Sequence, residues 1–292
     1  ARLNTLLSNQ ARAKSVLGQP LCPAAPGAIA TRSRPQLTSQ IHEYLAAAPA
    51  EQIMAIIGGE GFGKSWAFAQ SWLELESRPL ALLVPATDLK PEAVPYGSVE
   101  GWLIERFIEQ TGDIKTDDLR RRWEKRLTSW RDIPTGEVAR FVICIDGLNQ
   151  QPTLDWARFL NGLCAIVTEL GGHLFVTSRQ GYFDKSVKSA LAVDIVTIQV
   201  PEWSDAELDE ILVQQDVDPK SVSGATRASL KNPRLLGIAC DLKARGSIIE
   251  FSELNAERLL FEHIRASEAD GTSAETASQF SSRLAYHANQ IL

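Results

Sequence analysis

Gly58-Gly59-Glu60-Gly61-Phe62-Gly63-Lys64-Ser65 fits the pattern G-x-x-x-x-G-K-[ST] at every fixed position. The residues before it, Gln52 to Ile57, form a short apolar run, and Lys64 to Leu75 reads as a helix. A strand, a glycine-rich turn and a helix in that order predict a phosphate cradle. Glycines let backbone N–H groups converge on phosphate oxygens, and the helix after the turn aims its positive end at the same point. In such a cradle Lys64 bridges the β- and γ-phosphates and the Ser65 hydroxyl ligates Mg²⁺. Candidate nucleotide contacts therefore run from Gly58 through Trp66.

A cradle of this kind needs an acidic partner at the end of another central strand. Phe141-Val142-Ile143-Cys144-Ile145-Asp146 supplies it, with apolar residues closing on one carboxylate, and Asp146 is the candidate metal-side residue. Asn149 and Gln150 come next, where a hydrolytic ATPase usually places a second acid. An amide can orient water but cannot accept its proton at neutral pH. Slow hydrolysis is expected. The strand Gly172 to Thr177 leads into Ser178 and Arg179 at the edge where open α/β sheets bind ligands, so Arg179 is the candidate sensor of a γ-phosphate. Asn232-Pro233 opens a later helix, and the Pro233 ring is a candidate to pack on a nucleotide base, to fix the lid, or simply to start the helix.

Around these motifs, continuous apolar strands alternate with helices. Strands are expected at Leu80 to Val84, Arg140 to Asp146, Gly172 to Thr177 and Ile195 to Val200. Helices are expected at Ser98 to Gln110, Asp117 to Trp130 and Thr153 to Leu170. Strands apolar on both faces predict a sheet covered by helices on both sides. The expected fold is α/β, a P-loop three-layer sandwich with a mostly parallel five-stranded sheet. A helical lid and the start of a winged-helix-like region come after it.

The boundaries expected are 1–29 for a connector carrying one helix over residues 2–17, and 30–201 for the P-loop domain. Residues 202–248 make the lid and 249–292 a partial helical or winged-helix domain. Within the lid, helices are expected at Ser204 to Gln214, Pro219 to Leu230 and Pro233 to Arg245. A further helix is expected at Ser252 to Ala266.

Taken in order, the glycine-rich loop, Ile145-Asp146-Gly147-Leu148, Val176-Thr177-Ser178-Arg179 and Asn232-Pro233-Arg234-Leu235-Leu236 resemble the nucleotide-binding module of STAND ATPases. That class includes the NACHT and the apoptotic or resistance-type switches. The resemblance covers roughly residues 30 to 250. Arg34, in Thr31-Arg32-Ser33-Arg34-Pro35, resembles the opening segment that wraps the nucleoside in that class, although its glycine is absent and Pro35 stands in place of the acid. The resemblance implies ATP and ADP as ligands with Mg²⁺, exchange between them as the switch, and homo-oligomerisation on activation. It also implies fused or partner effector and sensor domains, and a role in signalling or anti-phage defence. Asn149 and Gln150 depart from the acids common in the class. Neither His263 nor His287 has the motif of the class's winged-helix histidine.

Composition bounds the alternatives. The chain has 292 residues and a net charge of −6. Residues 1–42 carry five basic and no acidic residues, which leaves −11 on the remainder and disfavours a nucleic-acid footprint there. The cluster Arg120-Arg121-Arg122 with Lys125 and Arg126 reads as a solvated helix face above a stripe of Leu119, Trp123, Leu127 and Trp130. Four scattered cysteines point to a reducing, cytoplasmic setting, and no apolar run reaches the ~18 residues of a membrane span. No N-K-x-D run favours guanine. The chain starts with Ala and ends inside the helix-like stretch Ser281 to Leu292, so both ends read as cut from a longer protein. The alternative to a switch is an AAA+ or helicase-like ATPase with steady turnover. A small-molecule kinase would need an arginine-rich lid, which the sequence lacks.

Overall fold

A computed structural model describes residues 2–17, 21, 34–90, 98–111, 114–133, 139–244, 251, 254, 257–259 and 261. By contact the chain divides into two compact units, Ala1–Pro201 and Glu202–Leu292.

The first unit begins with α1 (Arg2–Leu7), α2 (Gln10–Leu17) and α3 (Pro35–Ala46). Then come β1 (Gln52–Gly58), α4 (Lys64–Glu74) and β2 (Leu80–Pro85). Two helices, α5 (Val99–Thr111) and α6 (Asp117–Asp132), precede β3 (Phe141–Asp146) and α7 (Trp156–Glu169). The unit ends with β4 (Gly172–Arg179), the single turn α8 (Gln180–Tyr182) and β5 (Asp194–Val200).

All five strands are parallel, in the order β2-β3-β4-β1-β5. Side chains alternate across the pleat, so each strand feeds two cores. Ile53, Ala55 and Ile57 of β1 join Ile143, Ile145 and Val176 beneath α5, α6 and α7. On the other face Met54, Ile56, Val142, Cys144 and Phe175 meet α3 and α4. This is the expected three-layer α/β sandwich, with a sheet wholly rather than mostly parallel. On the α5–α7 side Phe107 stacks on Trp123 at 4.7 Å and Trp130 on Phe141 at 5.5 Å, so these tryptophans serve the core.

Several elements differ from the sequence reading. Residues 2–17 form two helices, broken where the Asn9 side chain accepts the Arg12 N–H and caps α2. The stretch expected as a connector is part of the core: Leu3, Leu7, Ala13 and Leu21 are buried with Tyr44, Phe68 and Leu83. The link Gln19 to Ala28 lies largely outside the described residues. α7 begins three residues later than expected because Asp155 caps it, accepting the Arg158 N–H at 3.1 Å. β4 runs two residues further than expected, since its ladder with β1 continues to the pair Gly58 and Arg179. A π-helical turn, Phe183–Val187, has no period in the sequence that announces it, yet Phe183 and Val187 are fully buried. β5 is an edge strand with residues exposed or half-exposed along much of its length, unlike the other four.

The second unit contains α9 (Asp205–Gln214), α10 (Gly224–Leu230) and α11 (Pro233–Ala244). Ser204 and Glu207 form a reciprocal capping box at the start of α9. The helix expected over Pro219 to Leu230 is instead a short 3₁₀ turn, Pro219–Ser221, and then α10. Ser223 ends the continuity by capping α10 through the Thr226 N–H. Beyond residue 244 only residues 251, 254, 257–259 and 261 are described. His263, His287 and the stretch Ser281 to Leu292 lie outside the described residues, as does most of the expected partial winged-helix domain.

Candidate functional site

The site is built where β1, β4 and β3 end at one edge of the sheet. Gly58 closes β1 in register with Arg179 of β4 on one side and Val200 of β5 on the other. A Cβ on Gly58 would stand 2.6 Å from the Val200 carbonyl oxygen, so only glycine lets β5 lie this close. The chain then turns through residues 59–63. Gly63 precedes α4 with φ +87°, a left-handed conformation that side-chain-bearing residues rarely adopt. The Phe62 ring covers Gly59 and packs at the margin of the α3–α4 core. Trp66, in the first turn of α4, also packs against that core and is partly buried.

Lys64, the first residue of α4, folds back over the loop. Its Nζ donates to the Gly59 carbonyl oxygen at 2.6 Å and to that of Gly58 at 3.3 Å. Burial pushes its ammonium below the ordinary lysine value. The Asp146 carboxylate opposes that shift, Arg179 adds to it and Glu60 opposes it again. An incoming anion would relieve the cost of keeping this charge out of water.

Asp146 ends β3 and is 5% exposed. β4 lies between β3 and β1, and it supplies the link from one to the other. The Thr177 hydroxyl donates to Asp146 Oδ1 at 2.6 Å and accepts the Gly147 N–H at 2.8 Å. The Ser65 hydroxyl donates to the same Oδ1, also at 2.6 Å. Residues 81 apart in sequence are thus in direct contact. One neutral and one anionic oxygen side by side are a donor set suited to a hard cation such as Mg²⁺, which completes its shell with water and substrate phosphate. Among the described residues no group of three or more His, Cys, Asp and Glu side chains could hold a metal unaided.

Arg179, the last residue of β4, forms an ion pair with Glu60 of the loop, and its backbone N–H donates to Asn149 Oδ1 at 3.0 Å. Asn149 therefore serves as a brace for the strand end. The Gln150 side chain lies beside Gly147, where a Cβ would meet it at 2.9 Å. Arg34 donates from Nη1 to the Pro201 carbonyl oxygen at 2.7 Å, placing it beside the end of β5 at the same edge of the sheet. Pro233 belongs to the second unit, where it opens α11, and the Asn232 side chain accepts the Arg234 N–H just after it.

Sequence reasoning gathered the loop, Asp146, Asn149 and Arg179 in one place but missed two side-chain functions. One is Thr177 as the residue that holds Asp146. Its signal was a hydroxyl directly after the apolar run Leu174 to Val176, and it is 1% exposed. The other is Glu60 as the partner of Arg179, and 119 residues separate the two.

No family model matches the chain, and no curated protein matches it. Similar solved structures include Drosophila ORC bound to DNA, at 13% identity and a TM-score of 0.39 over 80% of this chain and 58% of that one. Another is the Aeropyrum pernix ORC1 protein in complex with DNA, at 16% identity and 0.47 over 81% of this chain and 65% of that one. The chain spans less than two thirds of the length of either. Overlap at this level leaves the fold to be read from the strands themselves. Among the described residues no helix is long and apolar enough to cross a membrane.

Proposed function

We propose that the chain binds ATP and ADP with Mg²⁺ at the end of β1 and acts as a nucleotide-controlled switch of the STAND class, hydrolysing ATP slowly. The observation that carries this reading is the junction of Ser65, Asp146 and Thr177 beside the half-buried ammonium of Lys64. Lys64 would exchange its loop carbonyls for phosphate oxygens, and the loop's N–H groups would complete the cradle. Ser65 and Asp146 would hold Mg²⁺, which neutralises charge on the β- and γ-phosphates. Thr177 keeps the Asp146 carboxylate turned toward Ser65.

Slow hydrolysis is supported by the amides just past the end of β3. Asn149 and Gln150 offer no carboxylate, and the oxygen of Asn149 is occupied by the Arg179 N–H. Arg179 is proposed to bind the γ-phosphate, and the second unit to answer the change of nucleotide. Taking a two-state equilibrium from 1:99 to 99:1 needs about 5.5 kcal/mol of differential binding. Charge-assisted hydrogen bonds contribute about 1.5–3 kcal/mol each. Two or three new contacts to one phosphate are therefore sufficient.

The deciding experiment is to purify the protein without added nucleotide, identify what it carries, and measure turnover with and without DNA. Retained ADP with turnover below about one per minute, against an enzyme median of about 10 per second, is expected. Brisk turnover stimulated by DNA would replace the switch with the AAA+ or helicase-like reading. Failure to bind either nucleotide would remove both.

A further inference from the structure

We propose that the Glu60 carboxylate is a built-in competitor for the γ-phosphate and sets how strongly the site prefers a triphosphate over a diphosphate. This rests on the proposed nucleotide binding and concerns the same site.

Arg179 and Gly58 are partners in register, so the guanidinium leaves the sheet beside the first residue of the loop. It is paired there with Glu60, the third residue of that loop. The two side chains are 51% and 59% exposed, so the pair stands at the open mouth of the cradle and can part without disturbing the core. Both are held from behind. Asn149 braces the Arg179 backbone, and Glu60 belongs to a turn whose path is set by left-handed Gly61 and Gly63.

A carboxylate presents two oxygens to a guanidinium, as a terminal phosphate does. The only charged group that Arg179 can offer is thus shared between an anion of the protein and an anion of the ligand. A diphosphate that ends short of Arg179 leaves the ion pair intact. A triphosphate that reaches it has to displace Glu60 and binds with that cost subtracted. Exposed ion pairs are worth up to about 1 kcal/mol, which corresponds to a factor of about five in affinity. A cost of that size lowers ATP affinity without excluding ATP. It keeps the two nucleotide states close enough in energy for cellular concentrations to decide between them.

The test is calorimetric titration, in Mg²⁺, of ADP and of the non-hydrolysable adenylyl imidodiphosphate into wild type, Glu60→Gln, Arg179→Ala and the double variant. The quantity read is the ratio of the two dissociation constants. Glu60→Gln is expected to move the ratio about three- to fivefold toward the triphosphate. The same substitution made in Arg179→Ala should leave the ratio within about twofold, because the group competed for is gone. Glu60→Asp, which retains the charge on a shorter arm, should fall between wild type and Glu60→Gln. An unchanged ratio in Glu60→Gln overturns the inference, and so does a shift that persists in the Arg179→Ala background. Wild-type protein that binds neither nucleotide overturns the nucleotide reading and this inference together. Wild-type binding with an unchanged ratio overturns this inference alone.

Discussion

Two charged regions of the first unit use charge in opposite ways. On the α5–α6 face basic residues are numerous, and Lys115, Arg120 and Arg131 among them are matched by carboxylates. Arg120 reaches Glu105 at 3.0 Å and Glu124 at 3.3 Å, and Lys115 reaches Glu109 at 2.9 Å and Glu105 at 3.1 Å. Arg131 joins three helices by pairing with Glu100 of α5 and Glu169 of α7, and those hydrogen bonds raise its proton affinity. At the strand ends charged groups are few, and the central one is costly: Lys64 is held by neutral carbonyls in a setting whose burial lowers its proton affinity. A face whose charges are answered within the protein gains little from a ligand. A half-buried ammonium held only by neutral carbonyls gains more. The nucleotide proposed above is therefore expected at the isolated lysine after the glycine turn and not at the denser basic cluster.

The sharpest way to break this contrast is Lys64→Ala. It should weaken nucleotide binding by about a hundredfold or more, the loss of two charge-assisted bonds. Thermal stability should be retained or should rise, because a desolvated charge is removed; loss of binding together with unfolding would undo the contrast. Next in size is Asp146→Asn, expected to remove the Mg²⁺-dependent part of ATP affinity, about ten- to a hundredfold as for altered metal shells. Calorimetry with and without Mg²⁺ reads it directly. Thr177→Val keeps the shape of the strand but leaves the Gly147 N–H without its hydroxyl acceptor. It should cost about 1–3 kcal/mol in denaturant unfolding and weaken Mg²⁺ dependence in the same direction as Asp146→Asn.

On the matched face, Arg131→Ala should cost about 1 kcal/mol of stability and leave nucleotide affinity unaltered. A loss of nucleotide binding there would show that the two regions are coupled. The smallest effect concerns the opposite end of β4. His173 is buried beside Tyr44 and donates to the Ala47 carbonyl oxygen at 3.1 Å, and burial lowers its pKa from 6.5. Below about pH 6.5 the unfolded chain binds a proton there that the folded chain still refuses. Stability should therefore fall as pH drops from 6.5 toward the lower folded-state value and level off beneath it. His173→Gln should flatten that segment of the curve in denaturant melts between pH 7.5 and 5.

The parts of the molecule legible in the sequence are those where a local pattern and a chemical requirement coincide. Gly58 to Ser65 is one, and the apolar strand closing on Asp146 is the other. Both faces of β1 and β3 are covered, so their residues read as nearly unbroken apolar runs, and β4 shows a shorter one at Leu174 to Val176. β5 gave a weaker signal because one of its faces is partly exposed and carries Thr197 and Gln199, whereas β2 at the other edge is buried along most of its length. Helices α1 and α2 read as one helix because the break at Asn9 is a single local cap. Their place in the core depends on surfaces supplied by residues far along the chain. The Ser65, Asp146 and Thr177 contact and the Glu60 and Arg179 pair are products of strand order. No spacing in the sequence announces that β4 will lie between β3 and β1.

That strand order also bears on how the chain comes together in time. β1 pairs with no neighbour in sequence: Ile53 lies against Leu174 on one side and Ile195 on the other. During synthesis, the strand that ends in the cradle emerges with both edges bare and waits for more than a hundred further residues. Such long-range pairing is slow, and an apolar strand without partners is prone to join another chain. A nucleotide can assist only after β4 and β5 have closed on it. The most vulnerable interval in the life of this protein therefore precedes any protection the proposed nucleotide could provide.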